Sequence, residues 1–458
     1  MVWTSGGTSD LAAALGGNLL ARGETGFDEA RGTWNGRFDR RPDLIALCTS
    51  TDDVKAAVDY ARENGVRLSV KGGGHSYAGN SVADGGLLID LSSMKAITID
   101  AEARTATVAA GVTCGGLDAV TQPRGLATPT PTLSSVGVIG AALGGGTGYL
   151  SRKYGLTLDN VAAAEIVTAD GRHLRVSADD HPDLFWAIRG GGGNFGVVTT
   201  LTLGLHDVGP QVLSGQVIYR FDDADEHLRF YRRFMEDAPE DLQCYAFCFR
   251  APSIDLFPPE VRGKPVLDFV VCHQDPDAVA MVQPLRELGA PVLDTVGPHP
   301  YIQTQTAFDA NLPKGQRYLS KAHNLGTITD DAIDAMVEYV PRMAGALTAA
   351  YLDPLGGAIS RVRTDATAYA GRSSRFGFHI IAGWLQADED ESVIAWASEF
   401  AAAMAEEANG GVYVNLIADD ELDRVPAAYG PNLRRLQELK RKWDPENLFA
   451  SNYNIMPS

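Results

Sequence analysis

The sequence predicts an α+β chain of more than one domain. Its 458 residues exceed what one small core organises. Residues 44–70 read as strand–helix–strand, while residues 97–112 and 161–176 read as hairpins. Glycine clusters crowd the chain before Pro210 and become scarce after it, where strands alternate with helical stretches to about residue 412.

Each element has a local cause. Leu44–Cys48 (LIALC) is a short apolar run that suits a strand. Thr51 offers a helix N-cap, with Asp52 and Asp53 in the first turn. Val54, Ala57, Val58 and Ala61 follow at helical spacing, and Asn64 and Gly65 close the helix. Arg67–Val70 is a second strand and runs into KGGGHSYAGN. GGLLIDLSSM supplies the next strand, and AITIDAEARTATVAAGV turns back on itself near Asp100–Arg104. Thr128–Leu150, rich in Gly, Thr and Ser, is too small-sided for a core helix. Val161–Thr168 and His173–Val176 pair about Ala169–Gly171. Asp183–Ile188 is helical and Gly196–Leu205 is a strand. The tail carries an amphipathic helix (NLRRLQELKRKW) and ends extended in WDPENLFASNYNIMP.

The net charge of −19 argues against nucleic acid, because an acidic surface repels phosphate backbones. Five cysteines, an odd and sparse set, imply no disulfide framework. Cys244 and Cys248 sit in QCYAFCF, whose alternation fits a strand with both thiols on one face. Zinc would need two further ligands at metal spacing, so no metal is expected. The N-terminal MVWTSGGTSDLAAALGGNLLAR lacks a basic segment followed by an apolar one, and no run reaches the ~18 apolar residues of a membrane span. A cytoplasmic protein is the expectation.

Two glycine loops bear on chemistry. Gly191–Gly196 (GGGNFG) satisfies G-x-G-x-x-G, but the helix precedes it and the strand follows, the reverse of a dinucleotide fingerprint. A nicotinamide dehydrogenase is therefore disfavoured. Gly72–Gly74 joins one strand to another and forms a backbone nest suited to phosphate, with Lys71 beside it. His75 follows directly, and an imidazole there can bond an electrophilic cofactor carbon.

From these residues a resemblance emerges. KGGGHSYAGNSVADGGLLIDLSSM, TPTPTLSSVGVIGAALGGGTGYLSRKYGLTLDN, DLFWAIRGGGGNFGVVT and WDPENLFASNYNIMP, in this order, resemble the vanillyl-alcohol-oxidase-like flavoproteins with a PCMH-type FAD-binding domain, and within them the berberine-bridge-enzyme-like oxidoreductases. The resemblance implies an FAD domain of two α/β subdomains over residues 35–208. A substrate domain over 209–410 would carry an antiparallel sheet backed by helices, and residues 411–458 would return to the FAD domain. It implies FAD bonded through His75 at the flavin 8α carbon. Lys71, Gly72, Gly73, Gly74, Ser76, Gly79 and Asn80 would form the pyrophosphate wall. Ser134, Ser135, Gly137, Gly140, Gly145 and Gly148 would line the diphosphate and ribityl chain. Asn160 and Val198 would flank the adenine half, and Tyr453 and Asn454 would hold the flavin from the C-terminus.

The departures are informative. Leu133 stands where many members carry a second flavin-bonding cysteine, which implies one covalent link. Val136 stands where oxidases often carry valine, which favours O2 as acceptor and hydrogen peroxide as product. Catalysis needs a base near the ring. In the Tyr-x-Asn-Tyr motif, Tyr413 and Asn415 are kept but Leu416 replaces the usual base. In ATAYAGR, Ala366 lies near the position of an alternative glutamate, and Tyr369 matches a phenylalanine. Tyr369, Tyr413 and Asn415 thus remain as catalytic candidates. The leading expectation is an FAD oxidase of a small alcohol, amine or secondary-metabolite intermediate. A flavin dehydrogenase with another acceptor and a catalytically poor flavin-binding protein are the alternatives.

Overall fold

A computed structural model describes residues 5–15 and 19–458. The N-terminal stretch read above for a leader lies partly outside these residues. Ser5–Ala14 of it is helical.

Among the described residues, three large sheets and one two-stranded ribbon organise the chain. The first has the order Leu19–Ala21, Leu44–Leu47, Leu87–Asp90, Leu68–Lys71, and the last three strands are parallel. Leu87–Asp90 lies between the two strands of the expected strand–helix–strand unit, so those two are not direct neighbours. The intervening helix is Thr51–Asn64. Its N-cap is Ser50, not Thr51: Ser50 Oγ accepts from Asp53 N at 3.1 Å while Asp53 Oδ2 accepts from Ser50 N at 3.1 Å. Val54, Ala57, Val58 and Ala61 are buried along one stripe of the helix, as their spacing predicts.

The second sheet is antiparallel, in the order Ile97–Asp100, Thr105–Ala109, Val197–Gly204, Val161–Val167, His173–Ser177. Both expected hairpins are present. Thr128–Leu150 corrects the sequence reading, because Val138–Gly144 is a buried helix. Its small side chains let neighbouring backbone pack close, so volume alone misjudged it.

The third sheet is antiparallel along the path of its long strands, Gln211–Arg220, Pro265–His273, Leu242–Arg250, Ala349–Pro354, Phe376–Trp384 and Arg317–Leu325. Strand alternation gives it two faces. The back face, with Phe269, Val271, Phe378 and Ile380, packs on helices Ala224–Asp237, Asp330–Tyr339 and Asp390–Ala405 through Tyr231, Met336 and Phe400. Cys244 and Cys248 are both buried on this face, as QCYAFCF predicts. The front face carries Tyr245, Phe247, Tyr351 and His379, with Phe247 opposite Tyr351 and Tyr351 opposite His379. Among the described residues, no helix is long and apolar enough to cross a membrane.

Candidate active site

A cleft runs between the glycine loops and the front of the third sheet. Gly72, Gly73 and Gly74 line it where the chain leaves the carboxyl end of strand Leu68–Lys71. Parallel strands place ligand loops at that end. Val136, Gly137 and Gly140 line it at the start of helix Val138–Gly144. The two loops meet at Gly73 and Gly137, where a Cβ on Gly73 would lie 2.4 Å from Gly137 N. A side chain there would force the loops apart. Leu68, Val70, Leu91, Val197 and Val198 form an apolar stretch of the lining, and Thr147, Tyr351, Tyr413 and Asn415 belong to it too.

His75 stands in this cleft, half-buried. Its Nε2 lies 2.8 Å from Ser135 Oγ, and its ring stacks on Trp34 with centres 4.8 Å apart. Burial, helped by the positive charge of Lys314, pushes its pKa down to about 4. At neutral pH the imidazole is uncharged and keeps one nitrogen lone pair.

Of the other expected residues, Ser76, Asn80 and Tyr453 also line the cleft. Lys71 is a correction. Its ammonium is buried against Asp90 at 3.1 Å and the Ala30 carbonyl, and it is not among the residues lining the cleft. Gly79 packs on Phe38 and Gly148 on the Thr130 carbonyl, and neither reaches the lining. Ser134 is turned away to Asp309, which accepts from its backbone N at 2.9 Å and its hydroxyl at 2.5 Å. Asn160 Nδ2 donates to the carbonyls of Tyr154 and Leu156, and its Oδ1 faces His206 at 2.6 Å, so it fastens a turn. Asn454 faces a neighbouring pocket with Arg40 and Arg67. Leu133 lines the cleft. Cys114, 19 residues earlier, comes close in space, its N donating to the Val136 carbonyl at 2.9 Å. Its thiol is fully buried and outside the lining.

The three catalytic candidates separate. Tyr413 and Asn415 line the cleft. The Tyr413 hydroxyl oxygen accepts from Gly146 N at 2.7 Å and from Asn415 Nδ2 at 2.9 Å. Gly145 makes this possible, since a Cβ there would lie 2.7 Å from the Tyr413 ring. Burial pushes Tyr413 up to about 12, so the phenol keeps its proton. It is a hydrogen-bonding wall and not a base at neutral pH. Tyr369 stands behind it, ring centres 6.4 Å apart, outside the lining.

A carboxyl that sequence reasoning missed lies just beneath the wall. Asp353 is buried on strand Ala349–Pro354, two residues after the cleft residue Tyr351 and on the same face. It accepts from Gln243 Nε2 at 3.1 Å and from the hydroxyl of Thr147, a cleft residue. His379 Nε2 is 3.9 Å from it. Burial raises Asp353 to about 7, opposed by the Thr147 and Gln243 hydrogen bonds. Burial also lowers His379 to about 3, so that ring is neutral. Alternation in AAYLDP would pair Tyr351 with Asp353, but only the sheet's packing says which face meets the cleft.

The tail reaches the cleft through a buried ion pair. Lys440 Nζ lies 2.6 Å from Asp444 Oδ2 with both side chains fully buried, and it also donates to the carbonyls of Asn194 and Phe449. Asn194, in the GGGNFG loop, donates to the Tyr453 carbonyl at 3.1 Å and accepts from Ile455 N at 2.9 Å. That docking sets Phe449, Ser451, Asn452 and Tyr453 in the lining. The loop that mimics a dinucleotide fingerprint thus serves as the tail's anchor.

The cleft's donor set fits FAD. Backbone of Gly72–Gly74 can face a diphosphate, and the apolar stretch suits an aromatic ring. Asn80 Nδ2 and Asn452 Oδ1, on two residues of the lining, are buried with no partner among the described residues and suit a polar ligand.

Comparison with known proteins agrees with this donor set. The family model for the FAD binding domain matches residues 42–177, and the model described as berberine and berberine like matches residues 412–456. The (R)-6-hydroxynicotine oxidase of Paenarthrobacter nicotinovorans is 31% identical over 98% of this chain and 99% of its own length. The xylooligosaccharide oxidase of Thermothelomyces thermophilus is 28% identical over 96% of this chain and 92% of its own. A crystal structure of 6-hydroxy-D-nicotine oxidase from Arthrobacter nicotinovorans matches with a TM-score of 0.86 at 29% identity, covering 96% of this chain and 98% of that one.

Proposed function

Because this chain belongs to the berberine-bridge-like family of FAD-linked oxidoreductases, we propose that it is an oxidase, bonded to FAD through His75 alone, that dehydrogenates a small alcohol or amine. FAD supplies the acceptor for a hydride equivalent, and dioxygen takes the electrons on as hydrogen peroxide. The observation that carries this reading is one cleft lined by the half-buried His75, the Gly72–Gly74 backbone and Thr147, whose hydroxyl donates to the buried carboxyl of Asp353 behind the lining.

The protein's own residues divide the work. Gly72–Gly74, Gly137 and Gly140 offer backbone to the cofactor, and Ser76, Asn80 and Asn452 offer polar atoms. Tyr351 and Tyr413 bound the space left for substrate. Oxidation of an alcohol or amine releases a proton as hydride leaves. Asp353, reached through the Thr147 hydroxyl, accepts it and fills the role for which Leu416 and Ala366 offer no base. Val136 leaves a small side chain beside the cleft, which suits access by oxygen. The two curated relatives named above act, by their names, on an amine and on a sugar. Both chemistries release a proton of this kind.

The test has two steps. Acid-precipitated protein should retain its yellow colour and a mass increased by one FAD. An anaerobic panel of small alcohols and amines should then bleach the flavin, and air should restore it with peroxide formed. Colour lost on precipitation removes the covalent link. Colour restored by an artificial acceptor but not by air makes the protein a dehydrogenase.

A further inference from the structure

We infer that Ser135 is the positioning residue for attachment of the cofactor, orienting the ring of His75 and carrying away its proton. The inference rests on the reading that His75 is the attachment point.

Three observations support it. Ser135 Oγ lies 2.8 Å from His75 Nε2, and among the described residues it is the sole hydrogen-bond partner of that ring. Trp34, 2% exposed, stacks on the imidazole and restricts its plane. Ser135 is itself exposed, so its hydroxyl joins the half-buried ring to solvent. A neutral imidazole has one N–H and one lone pair, and the partner of one nitrogen decides the state of the other. In the tautomer in which Ser135 accepts from Nε2–H, the lone pair is on Nδ1, and this is the tautomer that attaches.

The chemistry then balances. Nδ1 forms a bond to the flavin 8α carbon, and one C–H bond of that carbon breaks, its proton passing to water and its electron pair into the flavin ring. The ring becomes cationic and loses the Nε2 proton to water through the Ser135 hydroxyl. Two electrons remain on the bound flavin, and dioxygen takes them with two protons as hydrogen peroxide. After attachment Nε2 holds a lone pair, and the same hydroxyl turns to donate to it. A hydroxyl serves both states because it is donor and acceptor at once. A methyl group serves neither.

The experiment uses full-length apoprotein made under riboflavin limitation and mixed with FAD in air. Noncovalent binding is followed by quenching of flavin fluorescence, and attachment by the mass of acid-quenched samples. Ser135, expected from the sequence to line the diphosphate, is not among the residues lining the cleft, so Ser135→Ala should still bind FAD but attach it on the order of a hundredfold more slowly, the scale of positioned proton transfer. Ser135→Thr, which keeps the hydroxyl, should attach at close to the parent rate. Added imidazole buffer should speed attachment in Ser135→Ala and leave the parent unchanged, a response that a purely structural defect would not give. Attachment by Ser135→Ala at the parent rate, while His75→Ala attaches none, overturns the role of Ser135 and leaves His75 in place. Loss of all FAD binding in Ser135→Ala makes the residue structural and also overturns it. Attachment in His75→Ala overturns the underlying reading itself.

Discussion

The imidazole of His75 lies nearly parallel to Trp34, ring centres 4.8 Å apart and planes 21° apart, and Trp34 stacks in turn on Tyr318 at 4.0 Å. Tyr318 belongs to strand Arg317–Leu325 of the third sheet. Asn35 ties the same joint, donating to the carbonyls of Tyr77 and Tyr318. The loop that carries His75 is thus held by the third sheet.

Trp34→Ala should therefore cost about 3–5 kcal/mol, as large-to-small changes at buried aromatic sites do, and should slow flavin attachment. Trp34→Phe should recover most of both. Urea unfolding of the loaded protein and the mass of acid-quenched samples check this. A Trp34→Ala protein of parental stability with full attachment would falsify the role given to the stack.

Asp353 acts as proton acceptor only when ionised, so substrate reduction of the flavin should quicken as pH rises through about 7. Asp353→Asn should lower that rate roughly 10²–10⁴-fold and abolish this limb. Anaerobic stopped-flow bleaching across pH measures both. A limb that persists in Asp353→Asn assigns the proton to another group.

The same carboxyl should leave a mark on stability. It is raised from 3.8 to about 7 by burial. Between those values the folded chain holds a proton that the unfolded chain has lost, so stability falls as pH rises from about 4 to about 7. Asp118, also raised to about 7 by burial, adds in the same direction. The neutral imidazoles of His75 and His379, lowered to about 4 and about 3, oppose it, since unfolding lets them gain protons below the usual histidine value. Thermal melts of Asp353→Asn should show its gain over the parent growing from pH 4 to 7 and level above that. A constant difference across this range would argue against the raised carboxyl.

Lys440→Met should destabilise by about 3–5 kcal/mol, because it strands the buried carboxylate of Asp444. The paired change Lys440→Met with Asp444→Leu should recover part of the loss. Since this anchor docks the tail, Lys440→Met should also weaken noncovalent FAD binding to apoprotein. Calorimetry and fluorescence titration test the two effects separately, and binding unchanged in a destabilised Lys440→Met protein would detach the tail from the cofactor site.

Local patterns carried much of this molecule. Helical spacing at Val54, Ala57, Val58 and Ala61, the turns between paired strands, and alternation in QCYAFCF are short-range signals, because each depends on the 3.6 or 2.0 residue period of one element. The glycines at 73 and 137 were legible for the same reason: a missing side chain is written in the sequence even when the backbone it must meet is not. What only the tertiary structure decided is which side each chain segment turns to its neighbours. Lys71 looked like cleft charge and turned to Asp90, and Ser134 turned to Asp309 while Ser135 met His75. Asp353 gave only the alternation with Tyr351, which does not say which face meets the cleft. Its raised pKa comes from burial by residues far along the chain, Thr147 and Gln243 among its partners, and desolvation is a property of the assembled core.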